Sequence, residues 1–214
     1  DDLSLGAGLG YDTYNGPRVQ LDVVDTNVRG TGWYSGLVVL FGSKVQRQQM
    51  TFRAPREVVG WSPILGATHY NEVRDTFTQT GTSVSAALER KSRGGVTQIV
   101  RYTAGTSNVH DLEISPAEIH ASEPRLDLGE VRLASLGYSI ARDRRDNPLS
   151  TTRGTYASAD LRLFPEILGS QQRFAKLFLQ GSSANALFGK WVGVAAAKLG
   201  VASRLGSAIP LPLQ

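Results

Sequence analysis

Residues 3–13 read LSLGAGLGYDT, with Gly6, Gly8 and Gly10 alternating with Ala7 and Leu9. A glycine loop that cradles a dinucleotide needs its third glycine three places after the second, with a helix starting at once. Here the spacing is strictly two, and the chain runs on into YDTYNGPR, a turn followed by another alternating run. Period two is the signature of a strand, which puts Leu3, Leu5, Ala7, Leu9 and Tyr11 on one face. Ser4, Gly6, Gly8 and Gly10 take the other face. Glycine packs nothing in a strand, so three in register predict a flexible strand or the close approach of a neighbour.

The alternation recurs along most of the 214 residues. RVQLDVVD opposes Val19, Leu21 and Val23 to Gln20 and Asp22, and WYSGLVVLFGSK with VQRQQMTFRAP reads as a hairpin. SPILGATHYNEVRD, TSVSAALERKS and VTQIVRYTAGTS continue it, and VRLASLGYSIARD, TYASADLRLF and RFAKLFLQGSSA are the clearest runs. From about Asn108 to Asp127, two prolines and mixed charge predict a long loop. WVGVAAAKLGVASRL has the alanine and leucine of a helix, but Gly193, Gly200 and its strand neighbours favour a strand. The count is about eleven strands with almost no helix.

Composition narrows the class. At 41% hydrophobic the chain is not disordered, and it has no apolar run long enough for a membrane helix. A barrel strand needs only about 9–11 residues with alternate ones apolar. The apolar faces here are too weak for the inside of a soluble sandwich and suit the lipid face of a barrel with a wet lumen. The absence of cysteine removes thiolate sites and disulfides, and a scattered net charge of +4 does not argue for nucleic acid. No signal peptide opens the chain, which implies a removed leader or an excised piece. His69, His110 and His120 are scattered without metal spacing, and LFGKW at 187–191 lacks what a P-loop requires. No catalytic residue, metal or cofactor is expected, and the chain reads as a non-enzyme.

Between two of the strongest strands lies RDRRDNPLSTTRG, residues 142–154. Read alone, it is a solvated hairpin loop whose charges pair among themselves. It also resembles the strand–turn–strand of the outer-membrane protein assembly superfamily, the bacterial surface antigen barrels that include BamA, TamA and mitochondrial Sam-type insertases. Arg142, Asp143, Arg145, Asp146, Asn147, Pro148 and Gly154 match that family's turn, while Thr151 stands where the family has a second proline, predicting a less rigid turn. GLGYDTYNGPRVQLD is similar to the first hairpin of TamA-type barrels at Gly8, Gly10, Tyr11, Asp12, Gly16, Pro17 and Arg18. LERKSRGGVTQIVRY resembles a later hairpin, and GSAIPLPLQ resembles the stretch before the family's V-R-G-[FY] loop.

The resemblance implies an antiparallel transmembrane β-barrel, about eleven strands of a family barrel of about sixteen. Residues 1–214 would be its N-terminal part, without POTRA domains or the closing strands. It implies an integral protein of the outer membrane of a Gram-negative bacterium that assembles, inserts or translocates other proteins. Its partners would be membrane lipid, unfolded outer-membrane clients and a periplasmic or inner-membrane protein, with no nucleic acid. Activity would run through a lateral gate at the first strand, residues Leu5, Gly6, Gly8, Gly10 and Tyr11, whose exposed edge templates a client strand. On the residues alone, the glycines equally make room for lumen-facing bulk. A two-partner-type secretion pore of the same superfamily and a passive porin are the alternative readings.

Overall fold

The computed structural model describes residues 2–55, 60–111, 129–189 and 191–204. Eleven strands form one antiparallel sheet in strict chain order: β1 (Leu3–Asp12), β2 (Gly16–Asp25), β3 (Tyr34–Gly42), β4 (Val45–Arg53), β5 (Ser62–Val73), β6 (Thr78–Ser92), β7 (Val96–His110), β8 (Gly129–Asp143), β9 (Gly154–Phe164), β10 (Phe174–Ala186) and β11 (Val192–Arg204). Two short 3-10 turns, Val28–Gly30 and Glu166–Leu168, are the helical elements among the described residues. This is the all-β, antiparallel barrel wall that the alternation predicts. The ambiguous run is strand: Val192–Arg204 pairs with β10 along its whole length, so the ladder outweighs alanine's helix propensity. One boundary is corrected. Asn108, Val109 and His110 complete β7 opposite Thr80, Gln79 and Thr78, so the expected loop starts later, and residues 112–128 lie outside the described residues.

Pairing turns alternation into two faces. One carries Leu5, Val23, Leu37, Met50, Ala67, Val84, Ala104 and Ala134, each opposite the next. Except for Ala134, which is buried, these side chains are half-exposed or exposed. Leu9 is 88% exposed and Leu5 77%, and Phe174 is the one large side chain fully buried among the described residues. A sheet that leaves its leucines uncovered has lipid as its solvent on that face.

The apolar belt does not follow one row of hydrogen bonds. Ala7 is level with Leu21 and Val39, but the same row continues through Gln48, His69, Thr82 and Thr106 to Arg132. At the other edge, Leu199 is level with Leu179, Ala159 and Ile140, and then with Gln98 and Arg90. On β8, the row through the middle of the β1 belt therefore meets Arg132, and the row through the β11 belt meets Ile140, eight residues further on. About 3.3 Å per residue against ten strand spacings of about 4.8 Å makes the strands lean roughly 30° from the normal of the belt. That lean suits a barrel wall, whose strands tilt by about 35–45°. Gln46 and Gln48 share a side with Met50 and Phe52 yet sit above the belt because of it.

The β9–β10 hairpin ends short of β8. Its loop covers the exposed ladder edge instead: Gln171 N–H donates to Arg132 O (2.9 Å), and Gln171 Oε1 accepts from Arg132 N–H (2.6 Å). Tyr102 hydroxyl donates to Leu168 O (3.1 Å) over the same corner, and Phe164 stacks on Phe174 with centroids 4.0 Å apart beneath it. A strand edge left bare would template unwanted pairing, and this loop blunts it.

Candidate functional site

β1 is an edge. Among the described residues it pairs with β2 alone, and it is exposed from Leu3 to Leu9. Its three glycines are not equivalent. A Cβ at Gly8 would meet nothing within 4 Å, one at Gly6 would touch Asp22 Cβ at 3.4 Å, and one at Gly10 would lie 2.8 Å from Arg18 Nε. Room for a neighbour explains Gly10, whereas nothing fills the space over Gly8.

The first hairpin is held from within. Asp12 Oδ1 accepts the N–H of Tyr14 (3.1 Å) and Asn15 (2.6 Å), and Asp12 Oδ2 accepts from Arg18 Nη1 (3.0 Å). This is how an Asp replaces the missing ladder at a turn. Gly16 sits at φ +70, and Pro17 faces Tyr11 across the pair. Neighbouring turns lock on to it: Ser43 hydroxyl donates to Asn15 O (2.9 Å), and Lys44 Nζ lies 4.7 Å from the Tyr14 ring and 2.8 Å from Asp75 Oδ1. Hydrogen bonding to Asp75 raises the Lys44 pKa above its ordinary value. Gly16, Pro17 and Arg18 thus belong to a braced rim, and the exposed stretch of β1 from Leu3 to Leu9 lies beyond it.

The 142–154 turn is a dense hydrogen-bonded unit. Arg145 reaches back to Asp143 with Nε (2.9 Å) and Nη2 (2.6 Å), while its guanidinium lies 4.8 Å from the Tyr156 ring. Asp146 Oδ1 accepts the N–H of Asn147 (2.9 Å), Thr152 (3.0 Å) and Arg153 (3.2 Å), and Asp146 Oδ2 accepts the Thr152 hydroxyl. Asn147 Oδ1 accepts from Leu149 N–H (2.9 Å) beside Pro148. Thr151 hydroxyl donates to Asn147 O (2.7 Å), so a hydrogen bond stands where the family places the rigid second proline. Gly154 adopts φ +115 with Arg144 O only 2.2 Å from where a Cβ would sit. The unit also docks on the β6–β7 turn, where Asp143 N–H donates to Gly95 O (3.0 Å). Arg142 and Arg144 are exposed. Local shape therefore accounts for Asp143, Arg145, Asp146, Asn147, Pro148 and Gly154.

Asp146 carries a pH signature. The Thr152 hydroxyl first, then the Arg153 amide, hold its pKa at about 2, well below the ordinary carboxylate value. A depressed folded pKa gives stability that is present above about pH 4 and lost as pH falls toward 2. The stability gap between the natural protein and Asp146→Asn, read as urea midpoints in detergent, is expected to close between pH 5 and pH 2. A gap constant over that range overturns this assignment.

One site escapes sequence reading. Glu89, on the inner face of β6, is buried to 5% exposure. Arg53 Nη2 of β4 lies 2.8 Å from its Oε2, and Lys91 Nζ lies 3.2 Å from its Oε1. The Arg53 contact is electrostatic, since Oε2 receives no well-directed N–H. A cavity of about 340 Å³ opens beside them, lined also by Tyr34, Pro55 and Ser62. The only sequence signal is the period-two placement of Glu89 and Lys91 on one side of β6.

A domain model described as the Omp85 superfamily domain matches residues 27–214. The chain belongs to the Omp85 superfamily. Its members are integral outer-membrane β-barrels of protein assembly and translocation, not enzymes, so this Omp85 chain lies in the outer membrane. The fold agrees: the Omp85 wall superimposes on the crystal structure of BamA from Haemophilus ducreyi lacking POTRA domains 1–3, with a TM-score of 0.87 at 14% identity. That superposition covers 100% of this chain and 43% of the BamA chain. No curated protein matches the chain. The matched span of the Omp85 domain begins after β2, so β1 and its glycines are placed by the sheet and the BamA superposition and not by the domain match. GSAIPLPLQ and His120 lie outside the described residues. His69 Nδ1 lies 2.8 Å from Thr82 Oγ1 on the outer face, and His110 Nε2 lies 3.5 Å from Asp111 Oδ2.

Proposed function

We propose that this chain is the gate-bearing part of a TamA- or BamA-like assembly barrel, with β1 as the edge that receives unfolded outer-membrane clients. The observation that carries this reading is β1 itself: among the described residues it is a strand paired on one side, exposed over most of its length and bare at Gly8. An unpaired ladder offers a client backbone its N–H and C=O groups, so β-augmentation is the recognition chemistry. Leu5 and Leu9 keep the edge in lipid, while Gly6, Gly8 and Gly10 limit the packing that would hold a partner there. The Asp12 turn anchors the strand at one end, so opening would spread from Leu3 toward Tyr11. A periplasmic or inner-membrane partner would deliver the client.

Gly8→Val tests this in the full-length protein. The side chain fits without a clash and removes backbone freedom. Client insertion into liposomes is expected to slow roughly threefold while fold stability is kept or raised by up to about 1 kcal/mol. Insertion at the natural rate overturns the gate at β1. A photocrosslinker at Leu5 gives an independent readout, expected to capture the client and not lipid alone.

A further inference from the structure

On the inner face, Arg101 of β7, Gly137 of β8, Arg162 of β9 and Lys176 of β10 stand in one hydrogen-bond row, each opposite the next. Lys198 of β11 shares that face opposite Gln180. Arg101, Arg162 and Lys198 are exposed and Lys176 is half-buried. Asp160 answers the row, taking Arg162 Nε at 2.9 Å and the Ser139 hydroxyl at 2.5 Å. Asp143, further along the same face of β8, is already held by Arg145.

This arrangement is costly. Like charges directly opposed on neighbouring strands destabilise a sheet, and Arg162 faces Lys176 in that way. Gly137 puts no side chain between Arg101 and Arg162, and a Cβ there would touch Arg162 Cγ at 3.6 Å, so the Arg162 stem lies across Gly137 toward β7. The outer rows at this height are Tyr102, Leu136 and Leu163, and Val100, Tyr138 and Leu161. The cations therefore sit at the depth of the apolar belt, where charge is kept only against water or a counter-charge.

We propose that this arc binds an acidic, extended polypeptide segment inside the barrel. From β7 to β10 it spans three strand spacings, about 14 Å, too wide for a single phosphate. Carboxylates at every second residue of an extended chain fall about 7 Å apart, so three of them cover the arc. The inference needs the barrel interior and not the gate at β1, so either can fail alone.

The test uses the full-length protein in detergent micelles and three probes: a 12-residue peptide alternating Glu and Ser, its Lys/Ser counterpart, and inorganic pyrophosphate. The Glu/Ser peptide is expected to bind saturably at low salt and the Lys/Ser peptide not to bind. Binding is expected to weaken about tenfold in Arg101→Gln/Lys176→Gln, a change that leaves the Arg162–Asp160 pair in place. An equal loss is expected on raising salt, because the attraction is screened. Absent binding, or binding unchanged in the double variant, overturns the proposal. Variant-sensitive binding of pyrophosphate without the peptide overturns the polypeptide occupant and leaves a small-anion site. Should the double variant fail to fold, Lys198→Gln on β11 serves in its place with a loss of about threefold, and no loss there overturns the proposal.

Discussion

Replacing Gly154 by alanine is expected to destabilise the barrel by about 3 kcal/mol or more. Two penalties coincide there. The backbone at φ +115 lies where residues with a Cβ rarely go, and the new carbon would stand 2.2 Å from Arg144 O and 2.8 Å from Arg145 Cα. Those atoms are backbone, fixed by Arg144 N–H on Thr155 O and Asp146 N–H on Arg153 O, so they have little freedom to retreat. The control is Gly94→Ala, at φ +83 with nothing within 4 Å, which isolates conformational strain at about 1 kcal/mol. Urea midpoints in detergent, with the gel shift of the unboiled folded barrel as a second readout, measure both. Equal losses at the two glycines would mean that the turn yields and that the crowding at Gly154 costs nothing.

Arg53→Met is the second large effect, expected at about 2 kcal/mol. It removes the nearest cation from a carboxylate that is almost fully buried, and breaking such a pair costs about 3–5 kcal/mol when both partners are dry. Arg53 is half exposed and Lys91 remains 3.2 Å away, so the loss falls below that range. Adding Glu89→Leu to Arg53→Met is expected to recover most of the stability, because the stranded charge is then gone. A double variant as unstable as the sum of its parts would show that Glu89 acts through packing instead.

What the sequence disclosed followed from period two. Leu3 to Tyr11, Val19 to Val23 and Ala157 to Leu163 alternate cleanly, and each became a strand with its apolar side outward. Even the alanine-rich β11 was readable, since Gly193 and Gly200 weaken a helix and the neighbouring runs are strands. Glu89 was hidden because its partner Arg53 lies two strands away, and only the register from β4 through β5 to β6 brings them together. The roles of Asp143 and Asp146 were hidden for another reason: a string of charges does not show which carboxylate will accept backbone N–H groups. The loop over the β8 edge depends on β9 ending early, which no periodicity in Pro165–Arg173 announces.

The drift of the apolar belt makes the sheet a ruler. Each strand is offset from its neighbour by nearly one residue relative to the bilayer, so a strand's height is set by its place in the sequence of pairings. A strand joining the β1 edge in the same geometry would inherit that offset. The lipid-facing window would then be cut from the newcomer by the ladder, and a hydrophobic segment out of phase with β1 would be presented at the wrong depth whatever its own composition.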